Sequence, residues 1–361
     1  MFSLRNSWRP YAPLLLACWA SPAPAPTAIV PAVVYELVDV GNPGNAADIT
    51  TFGAVAYPYR MGKYEVTVAD YVQFLNAVAT TDTYGLWNNS MQASASCAGI
   101  TRSGSSGSYV YAAMTATSGS APFSGSGVPP FRTATGVDSS RFPIAFVSYF
   151  NAARFANWMA NGQPAGPQNG TTTEDGAYFV NGARSSGQAP ARNSVNPNTG
   201  LAPTFFLPTE NEWYKAAYYE PALNAGRGGY YRFATRNNVA PGNAVPGSLN
   251  STQQPDSNQA NYIFGTSYVY CVTQFSAIVP GQHYLVPVGT WVQTFSPCGA
   301  FDMNGSLWEL CAPSTAASVN IKIRGGAWTS LDTYLDRAFY NGSVAFSTAS
   351  NVGFRLAAPA Q

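Results

Sequence analysis

Charge is what this sequence has least of: 10% of its 361 residues are charged, and 18 Lys and Arg stand against 17 Asp and Glu for a net charge of +1. A surface that tracks phosphates needs clustered cations, and no run of Lys or Arg supplies one, so no nucleic-acid partner is expected. Histidine is scarcer still. With His283 alone, no multi-histidine zinc or iron centre can be built, and any Ser-His-Asp or Cys-His unit would have to pass through that residue. No GxSxG elbow accompanies it, so His283 is expected to be structural or exposed. No apolar run reaches the about 18 residues that a membrane-crossing helix needs. CxxC spacing is absent too, which removes the redox and zinc motifs built on it.

What is present is hydrophobic and aromatic residue, 46% and 14% of the chain, with 33 Gly and 27 Pro. That mixture predicts one large, loop-rich α+β domain with a sizeable core and short elements. A basic start at Met1-Phe-Ser-Leu-Arg5, an apolar centre at Leu14, Leu15 and Leu16, and small residues at 20–25 are the parts of a secretory signal, expected over residues 1–25. Leu15-Leu16-Ala17-Cys18 also has the form of a lipoprotein cleavage box, with a lipid anchor at Cys18 as the alternative to plain secretion. Either address makes the protein secreted, periplasmic or displayed at the cell surface. Removing the signal leaves Cys97, Cys271, Cys298 and Cys311, which allow two disulfides or four buried thiols.

Residues 26–44 read as a lead-in with a strand over 33–40, stopped by the turn Gly41-Asn-Pro-Gly44. A strand over 59–66 follows. Thr67 then caps a helix whose Tyr71, Phe74, Leu75 and Val78 fall at i, i+3, i+4 and i+7. Ser148 caps a second helix, with Ala152, Phe155, Ala156 and Met159 on one face and a stop at Asn161-Gly162. Thr209-Glu-Asn-Glu212 is a capping box for a third. Two polar stretches, 100–140 and 163–200, read as insertions, and beyond Tyr219 only short strands and loops are expected. Five Asn-Gly pairs mark tight turns.

Six segments in fixed order carry a resemblance: Tyr59-Arg-Met-Gly-Lys-Tyr-Glu-Val-Thr67, Val147-Ser-Tyr-Phe-Asn-Ala-Ala-Arg-Phe-Ala-Asn-Trp158, Leu207-Pro-Thr-Glu-Asn-Glu-Trp213, Asn304-Gly-Ser-Leu-Trp-Glu309, Arg324-Gly-Gly-Ala-Trp328 and Asn351-Val-Gly-Phe-Arg355. Together they resemble the formylglycine-generating enzyme, or sulfatase-modifying factor, family over about residues 45–358. The resemblance implies an irregular, C-type-lectin-like fold stabilised by calcium. It also implies two copper(I)-binding cysteines, which oxidise a substrate cysteine with oxygen. Here the matching positions are Ser330 and Leu335, and neither a hydroxyl nor an alkyl group replaces a soft thiolate, so copper is not expected. For calcium, the matching positions are Asn304, Gly305, Leu307 and Glu309, with Ser306 where the family usually has asparagine. Oxygen-only ligands suit this hard cation. A second family site would use Asn261 and Tyr262, but its usual aspartate falls at 280–282, where no acid occurs.

Three functions follow from that resemblance. The first is a non-catalytic module recognising a glycan, peptide or protein through the segment 329–350, with Trp328, Ser330, Asp332, Tyr334, Arg337, Tyr340 and Asn341 as contacts. The second is a family oxidoreductase, of the sulfatase-maturation type, with an unrecognised site. The third is a retroelement-diversified display protein, since lectin-like members of the superfamily vary in the region matching 329–350. Arg337 and Arg355 carry a competing reading, as buried residues that hold loops by carbonyl contacts.

Overall fold

The computed structural model describes Met1 and residues 32–115, 139–244, 257–279, 282–313 and 318–361. It divides into Met1–Val30 and Pro31–Gln361, and everything below belongs to the second unit. The expected signal, with Cys18, lies outside the described residues, as does most of the insertion around 100–140.

Three helices start where the sequence places a cap. Thr67 Oγ1 accepts from the Asp70 amide at 3.2 Å, and the Asp70 carboxylate accepts from the Thr67 amide at 3.0 Å, opening the helix Val68–Val78. Tyr71, Phe74, Leu75 and Val78 are buried, as their spacing predicts. Thr209 and Glu212 make the same reciprocal pair at the start of Glu210–Tyr218. Ser148 opens Tyr149–Ala160, and Asn161 closes it before Gly162 at φ +82°.

This middle helix departs from its amphipathic pattern, because all 12 of its residues are buried. Its polar face is covered by the stretch expected to be an insertion at 163–200. Asn157 Nδ2 donates to the carbonyls of Thr173 and Tyr178, both at 2.8 Å, and Asn161 Nδ2 to those of Thr172 and Asp175. Arg154 is fully buried and forked onto Glu174 at 2.6 and 2.8 Å. Buried amides and a paired guanidinium thus replace regular ladders in organising a loop against a helix.

Short strands frame the helices. β1 (Leu37–Val40) and β13 (Ala357–Pro359) both pair antiparallel with β2 (Tyr59–Gly62), giving the order β1-β2-β13. Both N-terminal strands are shorter than the sequence pattern predicts. A second sheet has the order β11-β10-β9-β12, from β9 (Trp308–Cys311), β10 (Asn320–Arg324), β11 (Asn341–Val344) and β12 (Val352–Gly353), the last parallel to β9. Three hairpins complete the set: β3 (Ile100–Ser103) with β4 (Val110–Ala113), β5 (Tyr219–Glu220) with β6 (Gly229–Tyr230), and β7 (Ile263–Phe264) with β8 (Val269–Tyr270). The first hairpin lies inside what reads as a structureless excursion. The core is aromatic: the rings of Tyr71, Phe74, Trp158 and Phe354 each lie 5.3 to 6.0 Å from a neighbour in one cluster around Phe155.

Candidate functional site

The segment 329–350 connects β10 to β12 and contains β11. Its backbone is held from below by side chains of other motifs. Arg324 is fully buried: its Nη1 donates to the carbonyls of Arg337 at 2.9 Å and Phe339 at 2.8 Å, while Nε and Nη2 grip Glu210 at 3.0 and 2.7 Å. Asn304 Nδ2 donates to the Leu335 carbonyl at 2.9 Å. A loop whose carbonyls are bonded by buried donors is fixed without regular structure.

What this support presents is narrower than the sequence suggests. Asp332, Tyr334, Tyr340 and Asn341 are exposed. Trp328 is instead buried, its ring stacked on Tyr284 at 4.9 Å and its Nε1 donating to the Ser350 carbonyl, so it braces the segment from inside. Ser330 is buried as well, its hydroxyl accepting from the Ala327 amide at 3.0 Å. Arg337 pairs through Nε with Asp48 at 3.1 Å and donates from Nη1 to the Tyr230 carbonyl, which is the loop-holding role of the competing reading. Exposed aromatics next to the segment escape the sequence pattern. Ile263 bridges Leu331, and the same hairpin carries Phe264 and Tyr268, 45% and 55% exposed. Their pairing across 60-odd residues leaves no local signal.

The two positions that the resemblance pairs with copper-binding cysteines, Ser330 and Leu335, are ordinary packing here. Ser330 is satisfied within its own turn. Leu335 is fully buried with Phe233, Ala260 and Tyr262 and lies against Gly326, where a Cβ would stand 2.7 Å from its Cδ1. Cys97, Cys271, Cys298 and Cys311 are all free, and desolvation pushes every thiol up, away from the thiolate that binds soft metals or attacks disulfides. His283 is buried against Phe142 at 4.5 Å, with its ring nitrogens facing the carbonyls of Ala98 and Leu285.

In the loop expected to hold calcium, the polar side chains of Asn304 and Glu309 are engaged within the chain. Glu309 accepts from Arg355 at 2.5 and 2.6 Å, one bond to each carboxylate oxygen, and from the Trp213 indole at 2.7 Å. Asn304 Oδ1 accepts from the Ala234 amide at 2.7 Å. Gly305, at φ +83°, sits where a Cβ would stand 2.5 Å from the Asn261 carbonyl, and that carbonyl accepts from the Ser306 amide at 2.9 Å. Leu307 is buried. Asn261 Nδ2 donates to the Tyr284 carbonyl and Tyr262 donates its hydroxyl to that of Pro241. The one carboxylate in the set is thus already matched by a guanidinium. Among the described residues no group of three or more His, Cys, Asp or Glu is placed to hold a metal.

One acid nearby lacks such a match. Glu65 is 1% exposed, and neither of its oxygens has a hydrogen-bond partner. Desolvation first, then the charges of Glu309 and Asp302, push its carboxyl well above the carboxylate range; Arg355 and the Leu307 amide pull the other way. Asp302, which accepts from the Gly289 amide at 2.7 Å, is pushed up to about 6, again chiefly by desolvation.

The model of the sulfatase-modifying factor enzyme 1-like domain matches residues 47–360. No curated protein matches. Solved structures similar to the chain include CarF, at 19% identity over 92% of this chain and 100% of that one with a TM-score of 0.44. They also include variable protein 1 of Treponema denticola, at 14% identity over 92% and 97% with a TM-score of 0.44. PvdO of Pseudomonas aeruginosa matches at 13% identity over 90% and 92% with a TM-score of 0.38. With a loop-rich α+β fold of the C-type-lectin-like kind and a family model that covers nearly all of Pro31–Gln361, the chain belongs to the sulfatase-modifying factor enzyme 1-like domain family.

Proposed function

We propose that this protein is a binding module of its family that recognises a glycan, peptide or protein through the outer face of 329–350, and that it does not form formylglycine. The observation that carries this reading is the division within that segment. The residues at the two thiolate positions, Ser330 and Leu335, are buried packing, whereas Asp332, Tyr334, Tyr340 and Asn341 face outward from a backbone pinned by Arg324 and Asn304. Tyrosine on a rigid support binds with little loss of side-chain entropy and is enriched among interface hot spots.

A glycan and peptide array probed with the wild type and with Tyr334→Ala and Tyr340→Ala tests the face. Each substitution is expected to cost about 1 to 2 kcal/mol of affinity for whatever the array captures. Because Tyr334 packs on Phe339 at 4.5 Å and Tyr340 on Phe52 at 6.0 Å, melting temperatures are compared in parallel. Unchanged affinity in both variants, or copper- and oxygen-dependent loss of the thiol from a sulfatase-derived cysteine peptide, would overturn the reading.

A further inference from the structure

A cleft of about 340 Å³ opens beside this face, between the loop at 46–49, the β5–β6 hairpin and Arg337. That volume is in the range of small-molecule sites. Its walls are fixed. The Tyr230 hydroxyl donates to the Ala46 carbonyl at 2.7 Å and accepts from Asn45 Nδ2 at 2.6 Å. Asp48, the acid in the wall, is consumed by neighbours: it accepts from the Tyr214 hydroxyl at 2.5 Å and pairs with Arg337 Nε. Glu220, the acid on the hairpin, accepts from the Ala222 amide at 3.1 Å.

The rim is polar and unspent. Arg227 is exposed and its guanidinium has no partner among the described residues, nor does the Tyr219 hydroxyl, while the ring of Tyr219 packs on Tyr230 at 5.2 Å. The turn that carries Arg227 holds Asn224 and Ala225 at φ +53° and +56°, a left-handed conformation that alanine rarely adopts.

From these groups we infer that the cleft binds a small carboxylate-bearing sugar. Arg227 supplies the planar fork that matches a carboxylate, while Arg337 neutralises Asp48, so the wall behind it does not repel an anion. The half-buried rings of Tyr219 and Tyr230 offer an electron-rich surface to the C–H face of a pyranose; the Tyr219 hydroxyl and the side-chain carbonyl of Asn224, whose Nδ2 is bonded to the Gly228 carbonyl at 2.9 Å, can bond its hydroxyls. A neutral sugar would forgo the arginine, and a bare carboxylate would forgo the rings. The inference does not depend on the outer face of 329–350, since its variants touch neither Tyr334 nor Tyr340.

Titrating the full chain with sodium D-glucuronate, D-glucose and sodium acetate, followed by calorimetry or ligand-observed NMR, tests it. Glucuronate is expected to bind at least about tenfold more tightly than either other probe. Arg227→Ala should remove at least about tenfold of that affinity at an unchanged melting temperature, and Tyr219→Phe several-fold. No binding of glucuronate, equal binding of glucose or acetate, or wild-type affinity in Arg227→Ala would each overturn the assignment.

Discussion

Burial strips Glu65 of water, Glu309 and Asp302 add repulsion, and Arg355 is already bonded to Glu309. A carboxyl whose folded-state pKa lies above its unfolded value holds its proton more tightly in the folded chain. Its contribution is intact below the unfolded value of about 4.5 and is lost as pH rises through the folded one. Glu65→Gln removes that loss. Its melting temperature should match the wild type near pH 4 and exceed it increasingly towards pH 8; a difference that does not grow with pH would show that Glu65 is not the group responsible. Asp302, with its value of about 6, adds a loss of the same sign that the variant retains. At this scale the sequence is legible where an atom's partner is a neighbour, as at Thr67 with Asp70, and illegible where it is far along the chain. The resemblance implies a metal ligand at Glu309, and nothing local in the sequence shows that Arg355, 46 residues on, lies beside it. The Asn-Gly pairs divide likewise: Asn181 and Gly182 both take positive φ in a turn, whereas Asn341 and Gly342 open the strand β11 against β10.

The elements show the same division. Caps located the starts of the three long helices because capping is chemistry within four residues, but burial of a whole helix depends on what arrives later in the chain. The helix Tyr149–Ala160 shows one apolar face in its sequence, and its polar face is covered by 163–200. For 329–350, the element that matters is outside it. Arg324 meets Glu210 and two carbonyls with a planar fork, between the rings of Phe52 at 4.6 Å and Tyr340 at 5.1 Å. Lysine keeps the charge and cannot reach all three acceptors. Arg324→Lys should therefore speed amide hydrogen exchange across 335–345 while leaving β2 protected, and Arg324→Ala should cost about 3 to 5 kcal/mol of stability by stranding Glu210. Equal protection of 335–345 in wild type and Arg324→Lys would mean that the segment is held by its own contacts.

In the molecule as a whole, cohesion comes from aromatic packing and from three arginine–carboxylate pairs with a fully buried guanidinium, Arg154–Glu174, Arg324–Glu210 and Arg355–Glu309, with no disulfide among the described cysteines. If Arg355 stands in for a cation at Glu309, calcium has no folded-state site there to stabilise by mass action. Melting curves in calcium and in chelator should superimpose, and a calcium-dependent rise abolished by Glu309→Gln would restore the metal to that loop. The order β1-β2-β13 has a further consequence, for the time at which the molecule becomes complete. β2 waits with one edge unpaired until β13 reaches it, and Arg60 Nε bonds the Pro359 carbonyl across 299 positions. During synthesis the sheet cannot close until β13 has left the ribosome, so the nascent chain carries an open edge on β2 while everything between Gly62 and Ala357 is made. Contacts of such long sequence separation make closure slow, and this sheet is sealed only when Ala357–Pro359 docks on β2.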